Sequence, residues 1–134
     1  MMNDKNVFEN MPVIFSYTRA QAIEDGALVD LTEWAAETGF KIPVACTSTV
    51  WDHYIVPPSG ADEVGQSERG RAHDLLWMLY VNIQRSRSAR NDQMLFKVIF
   101  LMTHERQETV TLKAICGPGD NGEPVLTVML PNED

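Results

Sequence analysis

The stretch from Ser16 to Phe40 constrains the fold most, because it contains two helix starts and two helix stops within a short length. Thr18 is a typical N-cap, and Gln21 three residues later completes the capping box that begins a first helix. Gly26 predicts the end of that helix, because glycine adopts the left-handed conformation of a helix C-terminus at little cost. The β-forming residues 13–17 predict an N-terminal strand before it.

A second unit of the same kind follows directly. Leu28 and Val29 predict a short extended piece. Asp30 then predicts the N-cap of a second helix with Glu33 at its third position, and Gly39 predicts its end. Short strands and short helices in alternation are typical of small mixed modules.

The clearest helix begins after Ser67. Apolar residues recur from there at the spacing of one buried helix face, which predicts an amphipathic helix over residues 67–85. The stripe expected to be buried consists of Ala72, Leu75, Leu76, Leu79 and Ile83. A shorter helix capped by Thr47 or Ser48 is expected before the Pro- and Gly-containing break at residues 57–60.

The remainder of the chain predicts strands. Residues 94–102 are apolar on both faces except Lys97, which is typical of a central strand covered on each side. Residues 109–116 alternate between polar and apolar side chains, and the turn at 117–122 leads to a closing strand over 125–130. Two successive hairpins of this kind predict a three-stranded antiparallel meander.

We therefore expect a single α+β domain over residues 1–134, with an N-terminal strand, short helices and one long amphipathic helix packed on the C-terminal meander. Residues 1–12 are expected to be flexible, and residues 57–67 are expected to form an exposed loop. No apolar run reaches the roughly 18 residues of a transmembrane helix, and the N-terminus lacks a secretory signal, which favours the cytoplasm.

Charge is distributed unevenly along the chain. The formal net charge is −8; residues 1–67 carry ten acidic and three basic residues, whereas residues 68–134 carry nine and eight. This balance argues against sequence-independent DNA binding, since neutralised phosphates supply most of that affinity. It allows the opposite role, in which an acidic surface docks on a nucleic-acid-binding partner.

Residues that could carry chemistry are scattered. The three histidines show no metal-ligand spacing, and a zinc site would need Cys46 and Cys116 to converge with them from distant segments. The glycine-rich stretch 117–122 lacks the Lys and Ser/Thr of a phosphate-binding loop, which favours a hairpin turn. We expect no catalytic residues, no cofactor and no metal, and we expect both cysteines to be buried, reduced thiols. The tryptophans each lie in a predicted helix, where core anchoring is expected; an exposed one would mark an interface.

Two charged clusters are candidates for binding a partner. The first, which we call the acidic patch, comes from the Ser16–Phe40 stretch and consists of Glu24, Asp25, Asp30, Glu33 and Glu37. Glu33 and Glu37 lie on one helix face, where like charges are mildly destabilising, although a plain solvated face explains them equally well. The second is a basic loop with small neighbours that carries Arg85, Arg87 and Arg90. A partner, anion or RNA contact and a merely solubilising loop both remain open for it.

Three segments together carry a family resemblance: SYTRAQAIEDGALVDLTE, DLLWML and TLKAICGPGDNGEPVLTVMLPNED. In this order they resemble an uncharacterised family of small proteins encoded on bacterial plasmids, prophages and other mobile elements. Because that family has no assigned activity, the resemblance implies an accessory role in a bacterial host cell and carries over no catalytic residues.

Three functions remain open on these grounds. The first, which we favour, is a non-enzymatic factor that inhibits a host nucleic-acid-directed defence, of anti-CRISPR or anti-restriction type, by docking its acidic surface on a basic groove of a host protein or ribonucleoprotein. The second is a small enzyme acting on a nucleotide or nucleic acid. Tyr17-Thr18-Arg19 resembles the opening of small ADP-ribosyl transferases, although the histidine-containing motif of that group is absent. The third is a plasmid maintenance or regulatory factor. Enzyme action predicts that Tyr17, Arg19 and one acid converge in a cleft, whereas docking predicts a continuous acidic face.

Overall fold

The structure is a computed structural model that describes residues 17–59, 67–86, 92–103 and 106–133 of the chain. The described part leaves out residues 1–12, residues 13–16 of the predicted N-terminal strand, and residues 60–66 of the predicted loop.

The first helix forms as its capping residues predict. Helix α1 (Arg19–Glu24) begins at a complete capping box, in which Thr18 Oγ1 accepts a hydrogen bond from the Gln21 amide and Gln21 Oε1 accepts one from the Thr18 amide. Gly26, with a φ of 84°, reverses the chain after the helix. Strand β1 (Leu28–Asp30) follows, so the extended piece predicted there is confirmed.

The second helix begins later than predicted. Helix α2 runs over Thr32–Thr38, and its N-cap is Leu31, which is buried and provides no side-chain cap. Asp30 ends β1 instead, and its carboxylate accepts hydrogen bonds from the amide and the hydroxyl of Thr32. The predicted N-cap at Asp30 is therefore one position too early, because the helix begins after Leu31, whose side chain is buried in the core. Gly39 ends the helix at a φ of 125°, as predicted.

A strand that the sequence did not predict follows α2. Strand β2 (Val44–Thr47) is almost wholly buried, and it leads through helix α3 (Ser48–Val50) into a single π-helical turn (Trp51–Ile55). Of the two predicted caps, Thr47 is the one used, because its hydroxyl accepts from the Val50 amide.

The long helix is confirmed. Helix α4 (Glu68–Arg85) starts at Ser67, whose hydroxyl accepts from the Gly70 amide. Four of the five predicted stripe residues are completely buried, while Ile83 near the C-terminus is partly buried.

The meander is present as part of a larger sheet. Strands β3 (Gln93–Thr103), β4 (Arg106–Pro118) and β5 (Pro124–Met129) pair antiparallel in sequence order. Strand β5 also pairs in parallel with β2, which pairs antiparallel with β1. The strand order is therefore β1-β2-β5-β4-β3, with β1 and β3 at the two edges.

Strand β3 is an edge strand, so its predicted central position is wrong. Phe96, Val98 and Phe100 are buried in the core, whereas Leu95 and Ile99 on the other face are 61% and 57% exposed. The apolar character of both faces therefore does not reflect burial on both faces.

The helices divide unequally between the two faces of the sheet. Helices α2 and α4 and the π-helical turn cover the face that carries Val98, Leu112 and Val128, and this side forms the core. On the opposite face, Arg19 of α1 bonds the hydroxyl of Thr127, the strand neighbour of Val128.

The tryptophans differ in their burial. Trp34 and Trp51 are partly buried and stack on each other with ring centroids 6.4 Å apart. Trp77, expected in the core, is 48% exposed and stacks on Tyr80.

Candidate functional site

The residues of the acidic patch lie on the edge strand β1 and on the helices that precede and follow it. Its residues are carried by α1, β1 and α2, which follow one another in the chain. Glu24 and Asp25 end α1, Asp30 ends β1, and Glu33 and Glu37 lie in the first and last turns of α2. All five residues are exposed. Because α2 lies on the core face of the sheet and α1 lies on the opposite face, the five carboxylates are divided between the two sides of β1.

Three of the five carboxylates have partners within the chain. Asp25 accepts a hydrogen bond of 2.9 Å from the Tyr17 hydroxyl, which raises the pKa of Tyr17 above its ordinary value. Asp30 bonds Thr32, as described above. Glu37 forms an ion pair with Arg69 of α4, whose Nη2 donates to both carboxylate oxygens at 2.7 and 2.8 Å, and both side chains are more than half exposed. These contacts orient the carboxylates without removing them from solvent.

Glu24 and Glu33 are the two members with no hydrogen bond or ion pair to any described residue. Glu33 lines a shallow depression together with Asp30, Trp34 and Trp51. A carboxylate beside an aromatic wall, with no partner among the described residues, is well placed to accept hydrogen bonds from a basic partner. Glu24 and Glu33 are therefore the members of the acidic patch that are most available for binding.

Arg19 lies beside the acidic patch and serves the fold. Its guanidinium is partly buried and donates to Thr127 Oγ1 and to the Leu126 carbonyl, each at 2.7 Å. Desolvation lowers the pKa of Arg19, and the charges of Asp30, Asp120 and Glu123 oppose that shift. Because its donors are directed at the backbone and side chain of β5, Arg19 connects α1 to the sheet.

The glycine-rich stretch is a hairpin turn, and it contributes a contact that the sequence did not predict. Asp120 accepts hydrogen bonds from the amides of Arg19 and Ala20, at 2.8 and 3.1 Å. The turn between β4 and β5 thus caps the first turn of α1, across about a hundred residues of sequence, and it extends the acidic surface beyond the patch.

The geometry does not bring together the groups that the transferase alternative requires. Tyr17 bonds Asp25 at the end of α1, whereas the Arg19 side chain reaches β5. The depression around Arg19 is lined by Asp30, Thr32 and the β4–β5 turn, and Tyr17 is not part of its wall.

The basic loop is placed only in part. Arg85 is exposed in the last turn of α4, while Arg87 and Arg90 lie outside the described residues. Two other arginines of the same helix have partners in the chain, since Arg69 pairs with Glu37 and Arg71 is buried.

Arg71 is the polar residue that sequence reasoning missed. Its guanidinium donates to the carbonyls of Tyr54 and Leu101 at 2.6 and 2.7 Å, and it lies 4.8 Å from the centre of the Phe100 ring. Desolvation lowers the pKa of Arg71, and Asp74 opposes that shift. The available signal was its position one turn before Leu75, on the buried stripe of α4.

The cysteines differ in their environments. Cys46 on β2 is buried, and burial, together with the charges of Glu133 and Asp52, raises its pKa to about 12. Cys116 is exposed near the end of β4, so the prediction that both thiols are buried is wrong. The alternation along β4 continues to Cys116, but the core ends before it. Within the described part of the chain, no group of three or more His, Cys, Asp or Glu side chains could hold a metal ion.

Comparisons with known proteins give a family and no activity. A family model described as a family of unknown function (DUF6573) matches residues 2–134, and the chain belongs to that family. No curated protein and no solved structure matches the chain. Among the described helices, none is both long and apolar enough to cross a membrane.

Proposed function

We propose that the chain is a non-enzymatic protein-binding factor that docks its acidic patch on a basic surface of a nucleic-acid-binding partner. The observation that carries the proposal is the exposure of all five patch carboxylates on three elements that follow one another in the chain. Glu24 and Glu33, which lack partners among the described residues, provide the charges available to such a partner.

Charge supports this choice of partner. Glu33 and Glu37, at positions i and i+4 of α2, repel each other in the free protein, and a basic surface relieves that repulsion on binding. Complementary charge also accelerates encounter between the two proteins. A groove that normally binds nucleic acid presents the required positive surface.

The resemblance to proteins of mobile elements suggests the setting. We propose that the partner belongs to the bacterial host, and that a CRISPR effector or a restriction enzyme is the kind of protein that fits. In that setting the acidic patch competes with nucleic acid for a basic groove.

The test is a comparative capture from host lysate with three immobilised proteins. The first is the wild type, and the second carries Glu24→Lys and Glu33→Lys. The third is a control with the same change in net charge, Asp92→Lys and Glu108→Lys, on the β3–β4 side of the sheet. Circular dichroism checks that all three are folded.

We expect a basic, nucleic-acid-binding protein to be retained by the wild type and the control and lost from the patch variant. Retention of the same proteins by all three would overturn the proposal, as would their equal loss from the patch variant and the control.

A further inference from the structure

Within the described part of the chain, the outer edge of β3, on the side away from β4, is open along most of its length. Among the described strands, none pairs with β3 on the side away from β4. Among the described side chains, Arg71 of α4 closes the far end of this edge, where it donates to the Leu101 carbonyl and approaches Met102 Sδ at 3.6 Å. Open edges of this length are templates for pairing with another chain.

The register shows which backbone groups this edge presents. The Asp92 carbonyl accepts from the Cys116 amide at 2.7 Å, just before the paired residues Gln93 and Ile115. Hydrogen-bonded pairs alternate along an antiparallel ladder, so residues 94, 96 and 98 bond β4. The amides and carbonyls of residues 95, 97 and 99 therefore point outward. The Leu101 carbonyl belongs to the same outward set, and it accepts from Arg71 as the alternation requires.

The same three residues carry the exposed side chains of the strand. Leu95 and Ile99 are 61% and 57% exposed, and Lys97 between them is also exposed. On this face, α1 contacts β1, and the Arg19 side chain reaches β5. Backbone donors and acceptors thus occur together with an apolar–basic–apolar row of side chains.

The positive charge of Lys97, at the centre of this row, favours an acidic partner strand over a second copy of the chain. In the centred antiparallel pairing of two copies of this chain, Lys97 would lie directly opposite its equivalent, and like charges at that position are destabilising. A strand with an acidic side chain between two apolar ones has the opposite effect, because the acid faces Lys97 and the apolar side chains cover Leu95 and Ile99.

We propose that the β3 edge binds an extended acidic segment of a partner protein by strand addition, with an acidic side chain opposite Lys97 and apolar side chains opposite Leu95 and Ile99. The site shares no residue with the acidic patch, whose strand β1 is at the other edge of the sheet, four strand spacings or roughly 19 Å away. The proposal for the β3 edge does not depend on the function proposed for the acidic patch.

The test uses two fluorescent peptides and anisotropy titrations. The acidic peptide is Thr-Ile-Thr-Glu-Thr-Ile-Thr, and the matched control has Lys in place of Glu. We expect saturable binding of the acidic peptide to the wild type, about tenfold tighter than that of the basic peptide. The Lys97→Glu variant should reverse this preference, because it exchanges the sign of the charge and leaves the backbone edge intact.

Further variants separate this site from other surfaces. Ile99→Pro removes one outward amide without removing a bond to β4, and it should abolish binding of the acidic peptide. If Ile99→Pro fails to fold, the reversed peptide preference expected of Lys97→Glu still tests the proposal. Trp77→Ala, which removes an exposed aromatic ring on α4, and Glu33→Lys in the acidic patch should both leave peptide binding unchanged.

Three results would overturn the proposal. One is the absence of saturable binding of the acidic peptide at concentrations up to about 1 mM. Another is equal affinity of Lys97→Glu for the two peptides. The third is a dimer in sedimentation that Ile99→Pro dissociates and the acidic peptide does not, which would assign the edge to a second copy of the chain.

Discussion

Arg71 shows how much one buried side chain contributes to this fold. It lies on α4 and donates to backbone carbonyls of the π-helical turn and of β3, so it joins three elements. A buried guanidinium is stable only when its donors are satisfied, and the Phe100 ring beneath it adds a favourable cation–π contact. Its neighbour Arg69, two residues earlier, forms an exposed ion pair instead.

This contrast gives a paired prediction. Arg71→Ala should lower the free energy of unfolding by about 3–5 kcal/mol, because the Tyr54 and Leu101 carbonyls lose a charged donor in the interior. Arg69→Ala should lower it by less than about 1 kcal/mol, since exposed ion pairs contribute little. Urea denaturation measures both. Equal losses in the two variants would contradict the role assigned to Arg71.

The two thiols should differ in reactivity. At pH 8 a thiol reagent should modify one cysteine in the native chain, Cys116, and two in the unfolded chain, because Cys46 is buried and its pKa is raised to about 12. Rapid modification of both thiols in the folded protein would contradict the burial of Cys46.

The raised pKa of Cys46 also predicts a pH dependence. Between its ordinary value of 9.0 and about 12, the unfolded chain loses this proton and the folded chain keeps it. This contribution to stability is therefore complete below pH 9 and is lost as the pH rises toward 12. Denaturation at several pH values should show a shallower alkaline decline for Cys46→Ala than for the wild type.

Strand β3 illustrates how an element can be predicted correctly and placed wrongly. Its apolar residues on both faces are typical of a strand covered on each side. The structure covers only the face of Phe96, Val98 and Phe100, and it leaves Leu95 and Ile99 exposed. A hydrophobic pattern shows which side chains are apolar. It does not show whether the chain itself or a partner covers them.

Helix α4 provides a stability prediction at the scale of an element. Leu79→Ala should lower the free energy of unfolding by about 2–5 kcal/mol, because the side chain is completely buried and its removal leaves a cavity. Ile83→Ala should cost less, since Ile83 at the end of the stripe is only partly buried. Thermal or urea denaturation compares the two. A larger loss for Ile83→Ala would contradict the packing of the helix.

Across the whole molecule, local features were predictable and long-range ones were not. Capping residues and glycines located α1 and α2, and the spacing of apolar residues located α4, because those signals act within a single helix. Strand β2 was missed because it has only four residues, which are too few for a periodic signal. Its position also depends on pairing with β5, more than 70 residues later in the chain. The Asp120 contact with α1 was missed for the same reason.

The residues of the acidic patch could be predicted from the sequence. Which of their carboxylates have partners within the chain could not. Sequence located five acids on the first elements of the chain, and the structure shows that they are exposed. It could not show that Arg69, distant in sequence, pairs with Glu37, or that Tyr17 bonds Asp25. These contacts single out Glu24 and Glu33 as the residues to change.

The most direct test of the central claim is the affinity of the captured partner for the wild type and for Glu24→Lys with Glu33→Lys, measured by calorimetry at low and high salt. We expect wild-type affinity to fall about tenfold between roughly 0.05 and 0.5 M salt, because exposed charges are screened, and the variant to bind weakly at both. A folded variant that binds with wild-type affinity at both salt concentrations would contradict docking through the acidic patch, and the basic loop around Arg87 would become the leading candidate.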